Sequence, residues 1–244
     1  MATKQAKSAS GSGVSYRWQR VHPALIVGHV LTVKAKREEP MRVHFRQSDM
    51  DGACSVHCLA SVLVILNLAK AEALTYMASR KYGVPAEVYS EFHNVYFHGC
   101  MADDLVERVN RLGLPLKVTA RYKDDADLDY FAVRCLSRGD LVMLSFRSVH
   151  TRKTHHWALG IGVEGMQSGR DTTVDTVLLL DPSGDEPEFR AFNARMRVQM
   201  PSVASQLLRT SPAKPLDWIY DSPEWPAEVV RLTGAVRFQR SDLP

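Results

Sequence analysis

The 244 residues carry 31 Lys and Arg against 27 Asp and Glu, a net charge of +4 with neutral histidines, and 45% of them are apolar. That composition lies near the globular average, which excludes collagenous, coiled-coil and disordered classes, and so small a surplus of charge lacks the concentrated basic face of a nucleic-acid-binding protein. Cys54, Cys58, Cys100 and Cys135 are too few for a disulfide scaffold and form no CxxC pair, so a reducing, cytoplasmic compartment is expected.

Residues 1–16 hold lysines with no apolar stretch behind them, and no later run approaches eighteen apolar residues. The expectation is a disordered Ala/Ser/Gly/Lys-rich arm, no export signal and no membrane span. One domain is expected over 17–244, with its core over 41–184 and a C-terminal extension over 185–244. Ala24 to Lys36 mixes β-branched residues with alternation, and a second alternating run covers Met41 to Arg46, which predicts two strands. The turn formers of RQSDMDGA lead into CSVHCLASVLVILNLAKAEALTYMASRKYG. There Cys54, Cys58, Val62, Ile65 and Leu66 recur at helical spacing while Leu63 and Val64 fill the other faces, predicting a helix buried nearly all round. A break at Lys70 to Glu72 divides it, and Gly83 and Pro85 end its second piece.

Asp103 and Asp104 are placed to cap a helix that closes at Gly113, and LKVTARY then alternates as a strand. A further helix spans Leu128 to Ser137 and stops at Gly139. Three apolar runs, LVMLSF, HWALGIGV and VDTVLLLD, follow at the spacing of antiparallel strands, so the pattern is α+β. Past Gly184 the Pro- and Trp-rich sequence reads as a wrapping extension, with GAVRFQ as a closing strand.

A nucleophilic cysteine works as the thiolate, and a free thiol with a pKa of about 8.5 needs a helix N-terminus or an imidazolium to reach it at neutral pH. Cys54 sits at the predicted start of the central helix, where unpaired N–H groups and the dipole favour an anion. Gln47, on the incoming loop, can offer an amide donor to an oxyanion beside the Cys54 N–H. His156 begins an apolar strand and Asp181 ends the next, so an imidazole and an orienting acid fall at two successive strand ends. His155 is the competing base. It shares a strand face with Trp157, Leu159 and Ile161, whereas His156 shares one with Ala158 and Gly160, whose small side chains leave room for a neighbour. Asp49 and Asp51 would oppose a nearby thiolate, so they are expected to face solvent or a substrate amine.

Four stretches carry a family resemblance. Gln47 with DGACSVHCLASVL, then GCMADDLVERVNRLGLPLKV, HHWALGIG and LLLDPSG together resemble the papain-like cysteine peptidases, and within them the bacteriocin-processing double-glycine peptidases. The resemblance covers about Met41 to Gly184 and implies a papain-like fold, with a central buried helix carrying the nucleophile packed on an antiparallel sheet. It implies nucleophile Cys54, base His156, orienting acid Asp181 and oxyanion donor Gln47, with no cofactor. The implied reaction is cleavage of a peptide or isopeptide bond in a peptide or protein substrate through an acyl-enzyme. This chain departs from the family in a Gln47-to-Cys54 gap one residue longer, in Ser55 where glycine is common, and in a long loop between His156 and Asp181. No exporter segments follow, so processing of a secreted leader is not implied.

Other readings stay open. The same triad serves deamidation and acyl transfer, and a catalytically inactive papain-like binding module would keep the fold alone. Cys58, Cys100 and Cys135 read as packing residues. His93, His98 and Cys100, or His150, His155 and His156, suggest zinc, but the paired cysteines of structural zinc sites are missing. No glycine-rich phosphate loop supports a nucleotide cofactor.

Overall fold

A computed structural model describes residues 15–35, 39–49, 51–151, 155–200, 207, 210 and 214–242. Residues 1–14 of the expected arm lie outside the described residues, and strand β1 (Ser15–Val21) begins inside that arm. The run at 24–36 folds as two strands, not one: β2 (Leu25–Val27) and β3 (Leu31–Val33) form a hairpin with Gly28 in its connection. The short β4 (Met41–Arg42) completes this three-stranded sheet.

Helix α1 (Cys54–Ile65) is buried at every residue except His57, the outcome of a sequence with apolar side chains on all faces. It stops at Leu66 because Asn67 takes the left-handed conformation (φ 55°), from which Leu68 N–H returns to the Leu63 carbonyl. Helix α2 (Ala71–Thr75) follows. Gly83 and Pro85 open a helix instead of ending one. Gly83 at φ 79° leads into α3 (Val84–Phe92), where proline fits the first turn because it needs no N–H there. In α4 (Ala102–Arg111) the capping position belongs to Met101, and Asp103 and Asp104 lie in the first turn, where their charge meets the positive dipole end.

Strand β5 (Leu116–Tyr122) and helix α5 (Leu128–Ser137) precede the main run of strands. These are β6 (Leu141–Ser148), β7 (His155–Ser168), β8 (Asp171–Thr172), β9 (Thr176–Leu180), β10 (Ala194–Val198), β11 (Trp218–Asp221) and β12 (Glu228–Arg240). Every pairing among them is antiparallel. The path β7–β6–β12–β11–β10–β9 returns to β7, so six strands close on themselves, with β1 added on β7 and β5 on β12. The C-terminal part is therefore not a wrap. β12 pairs with β6 along one edge and with β5 and β11 along the other, which makes it an interior strand. Its alternation at Val230, Leu232, Val236 and Phe238 carries that burial, broken by a bulge between Leu232 and Gly234.

Period-two alternation divides the core. One face of β6 and β7, with Met143, Trp157, Leu159 and Ile161, packs with α1. The other, with Leu144, Phe146 and Ala158, joins Leu179, Met196 and Trp218 and receives α5. The fold is α+β, a buried helix on a large antiparallel sheet. Among the described residues no helix is long and apolar enough to cross a membrane.

Candidate active site

No side chain caps α1; Ala53 holds the N-cap position, so first-turn amides around Cys54 stay open to an anion. Asp51 shapes the approach. Its carboxylate accepts the Ser48 N–H at 2.8 Å and the Ala53 N–H at 2.9 Å and sits 3.7 Å from His57 Nε2, so it turns into the helix start and does not face solvent as expected. Burial opposes its charge, but these backbone donors win and hold it below the usual carboxylate range. Gly52 donates its N–H to the Tyr96 carbonyl at 2.6 Å, which fixes the loop just ahead of α1.

Cys54 is buried, with Sγ 3.9 Å from the Gly52 carbonyl, and its sulfur lies near enough to the His156 ring to raise that ring's pKa. His156, at the start of β7, places Nε2 2.8 Å from Asp181 Oδ1, just past the end of the paired strand β9. The imidazole keeps 22% of its side chain exposed and the carboxylate 1%, so the ring is reachable and the carboxylate is sealed. Burial pulls the His156 pKa down, but the Asp181 carboxylate and then the Cys54 sulfur outweigh it and hold the imidazolium well above its usual range. Burial likewise opposes the Asp181 charge, yet His156, Ser183 and Tyr220 keep the carboxyl below its usual range. Of the sequence-selected residues, His156 and Asp181 are joined by a hydrogen bond, and Cys54 lies near enough to influence the His156 charge.

His155 does not join them. Its Nε2 lies 2.6 Å from Ser145 Oγ and 3.3 Å from Thr233 Oγ1, on the opposite strand face. Burial, then Arg147 and His156, push its pKa down to about 4, so it stays neutral across the physiological range. Gln47 reaches the same neighbourhood through its backbone, donating its N–H to the Pro182 carbonyl at 2.8 Å. Its side-chain oxygen is buried without a partner, and among the described residues no hydrogen bond joins that side chain to Cys54 or His156.

Several residues that sequence reasoning missed hold the acid. Asp181 Oδ1 also accepts the Ser183 N–H at 2.8 Å and its hydroxyl at 2.6 Å, while Oδ2 accepts the Tyr220 hydroxyl from β11. Asn193 brackets the backbone, accepting the Asp181 N–H at 2.7 Å and donating to its carbonyl at 2.8 Å; His44 Nε2 lies 2.9 Å from the same oxygen. Phe146 packs edge-on against His156 with centroids 5.4 Å apart. Ser183 was visible in the turn sequence LLLDPSG; Asn193 and Tyr220, 12 and 39 residues from Asp181, lie outside that turn and carried no local signal.

Cys58 is buried one turn below Cys54 with its thiol 3.6 Å from the Trp157 carbonyl, and burial pushes that thiol well up. Cys100 donates to Asp104 at 3.2 Å, and His93 Nδ1 lies 2.9 Å from the Ser90 carbonyl. Among the described residues no three His, Cys, Asp or Glu side chains assemble as metal ligands. A cavity of about 730 Å³ lies between the β5–α5 connection, the end of β6 and β12, with Asp125, Asp129, Arg147 and Thr233 on its wall; Cys54, His156, Asp181 and Gln47 do not line it. No protein-family model matches the chain, and no curated protein matches it.

Proposed function

We propose that the chain is a papain-like cysteine peptidase that cleaves a peptide or isopeptide bond through a covalent acyl-enzyme. The observation that carries this reading is the hydrogen-bonded His156–Asp181 pair, a reachable imidazole on a sealed and multiply bonded carboxylate, with Cys54 at a helix N-terminus near enough to act on the imidazole's charge. The Cys54 sulfur attacks the carbonyl carbon, and the carbonyl π pair moves onto oxygen. The Cys54 N–H and the Gln47 side-chain amide take that oxyanion. His156 then gives its proton to the leaving nitrogen as the C–N bond breaks, leaving a thioester and a neutral imidazole. Next, His156 takes a proton from water, hydroxide adds to the thioester, and the acid product departs as the thiolate–imidazolium pair is restored. Asp181 keeps the imidazole in one tautomer throughout and stays ionised.

The test is a proteome-derived peptide library digested with the wild type and with Cys54→Ser. New termini sharing a sequence preference, present only with the wild type, support the reading; identical profiles overturn it.

A further inference from the structure

Tyr220 lies on β11, in the stretch that sequence reading set aside as an extension, yet its hydroxyl ends on the proposed site. It donates to Asp181 Oδ2, the oxygen that His156 does not use. Its ring meets Phe146 with centroids 5.1 Å apart, and Phe146 in turn stands edge-on to the His156 imidazole. One side chain therefore fixes both members of the His–Asp pair, the carboxylate by a hydrogen bond and the imidazole through an aromatic neighbour. Tyr220 is itself 6% exposed, too deep to touch a substrate. A buried tyrosine needs a partner for its hydroxyl, and this one has taken a carboxylate with few other donors on that oxygen.

We infer that Tyr220 is a positioning residue for the proposed reaction, and that the C-terminal strands complete the active site by delivering it. This rests on the papain-like reading for its catalytic meaning, although the His156–Asp181 geometry it controls exists independently. With Oδ2 anchored, the carboxylate cannot rotate, so Oδ1 stays aimed at His156 Nε2 and the other ring nitrogen stays available for Cys54. The tyrosine keeps its own proton, because burial and the adjacent carboxylate both push its pKa up. Losing the hydroxyl removes a donor from the charged form of Asp181 alone, so Asp181 becomes easier to protonate.

The test compares wild type, Tyr220→Phe and Tyr220→Leu by two readouts. The first is the downfield proton resonance of His156 Nε2–H, followed against pH. Tyr220→Phe, which keeps the ring against Phe146, should retain a cooperative melt. Its His156 resonance should shift or broaden, and the acid-side titration of that signal should move up by about one pH unit. Tyr220→Leu should add loss of ring order at His156. The second readout is peptide cleavage, with kcat lowered and KM unchanged in Tyr220→Phe. An unchanged resonance and titration in folded Tyr220→Phe would overturn the inference, even if the enzyme proves active. An inactive wild type with the resonance shift intact would instead sink the peptidase reading and leave the positioning role standing.

Discussion

At the scale of single residues, His156 and Asp181 form a pair whose charges depend on one another. The raised His156 contributes stability fully below its ordinary pKa of 6.5 and loses it as pH climbs toward its higher folded value. The depressed Asp181 contributes above its ordinary 3.8 and loses stability as pH falls toward its lower folded value. The window of full benefit therefore runs from about pH 4 to 6.5. Asp181→Asn should lower Tm most within that window and progressively less on either side, as thermal melts at a series of pH values will read. It should also bring the alkaline limb of activity to lower pH, because the largest influence raising His156 is gone, and reduce kcat by about 10²–10⁴-fold. A pH-independent change in Tm would contradict the linkage. His155→Gln should leave the pH profile in place, since that ring is neutral and bonded elsewhere.

The elements show where sequence patterns suffice and where they fail. Helix α1 is legible because Leu63 and Val64 fill the faces that Cys54, Cys58 and Val62 leave, and helix α5 ends where Gly139 says it should. Gly83 and Pro85 misled because the same residues punctuate the end of one helix and the start of another; only the apolar Val88 and Phe92 buried beyond them decide. Strand β7 depends on close backbone approach. A Cβ at Gly162 would run into the Arg20 carbonyl of β1, and one at Gly165 into the Thr173 carbonyl. Gly162→Ala should cost about 1–3 kcal/mol, by urea denaturation, through separation of β1 from β7. A change below about 0.5 kcal/mol would show that β1 yields freely.

For the whole molecule, the α+β class, the start of α1 at Cys54 and the pairing of His156 with Asp181 were readable because they rest on local signals: a helix start, two strand ends and a turn. The ring of strands was not, since pairing of β12 with β6 joins segments about ninety residues apart and no local pattern records partners. The Tyr220 hydroxyl on Asp181 was hidden for the same reason. It follows that a chain ending at residue 184 lacks β10, β11 and β12 and leaves β6 and β5 with unpaired edges. Such a truncation should show no cooperative urea transition by circular dichroism, and a native-like transition would refute the integral role of the C-terminal strands. The central claim is that Cys54 is a nucleophile made reactive by His156, and alkylation measures it most directly. Iodoacetamide at pH 6, followed by peptide mass spectrometry, should modify wild-type Cys54 at least about tenfold faster than the same cysteine in folded His156→Ala. Equal rates in the two proteins, with modification only above pH 8, would contradict it.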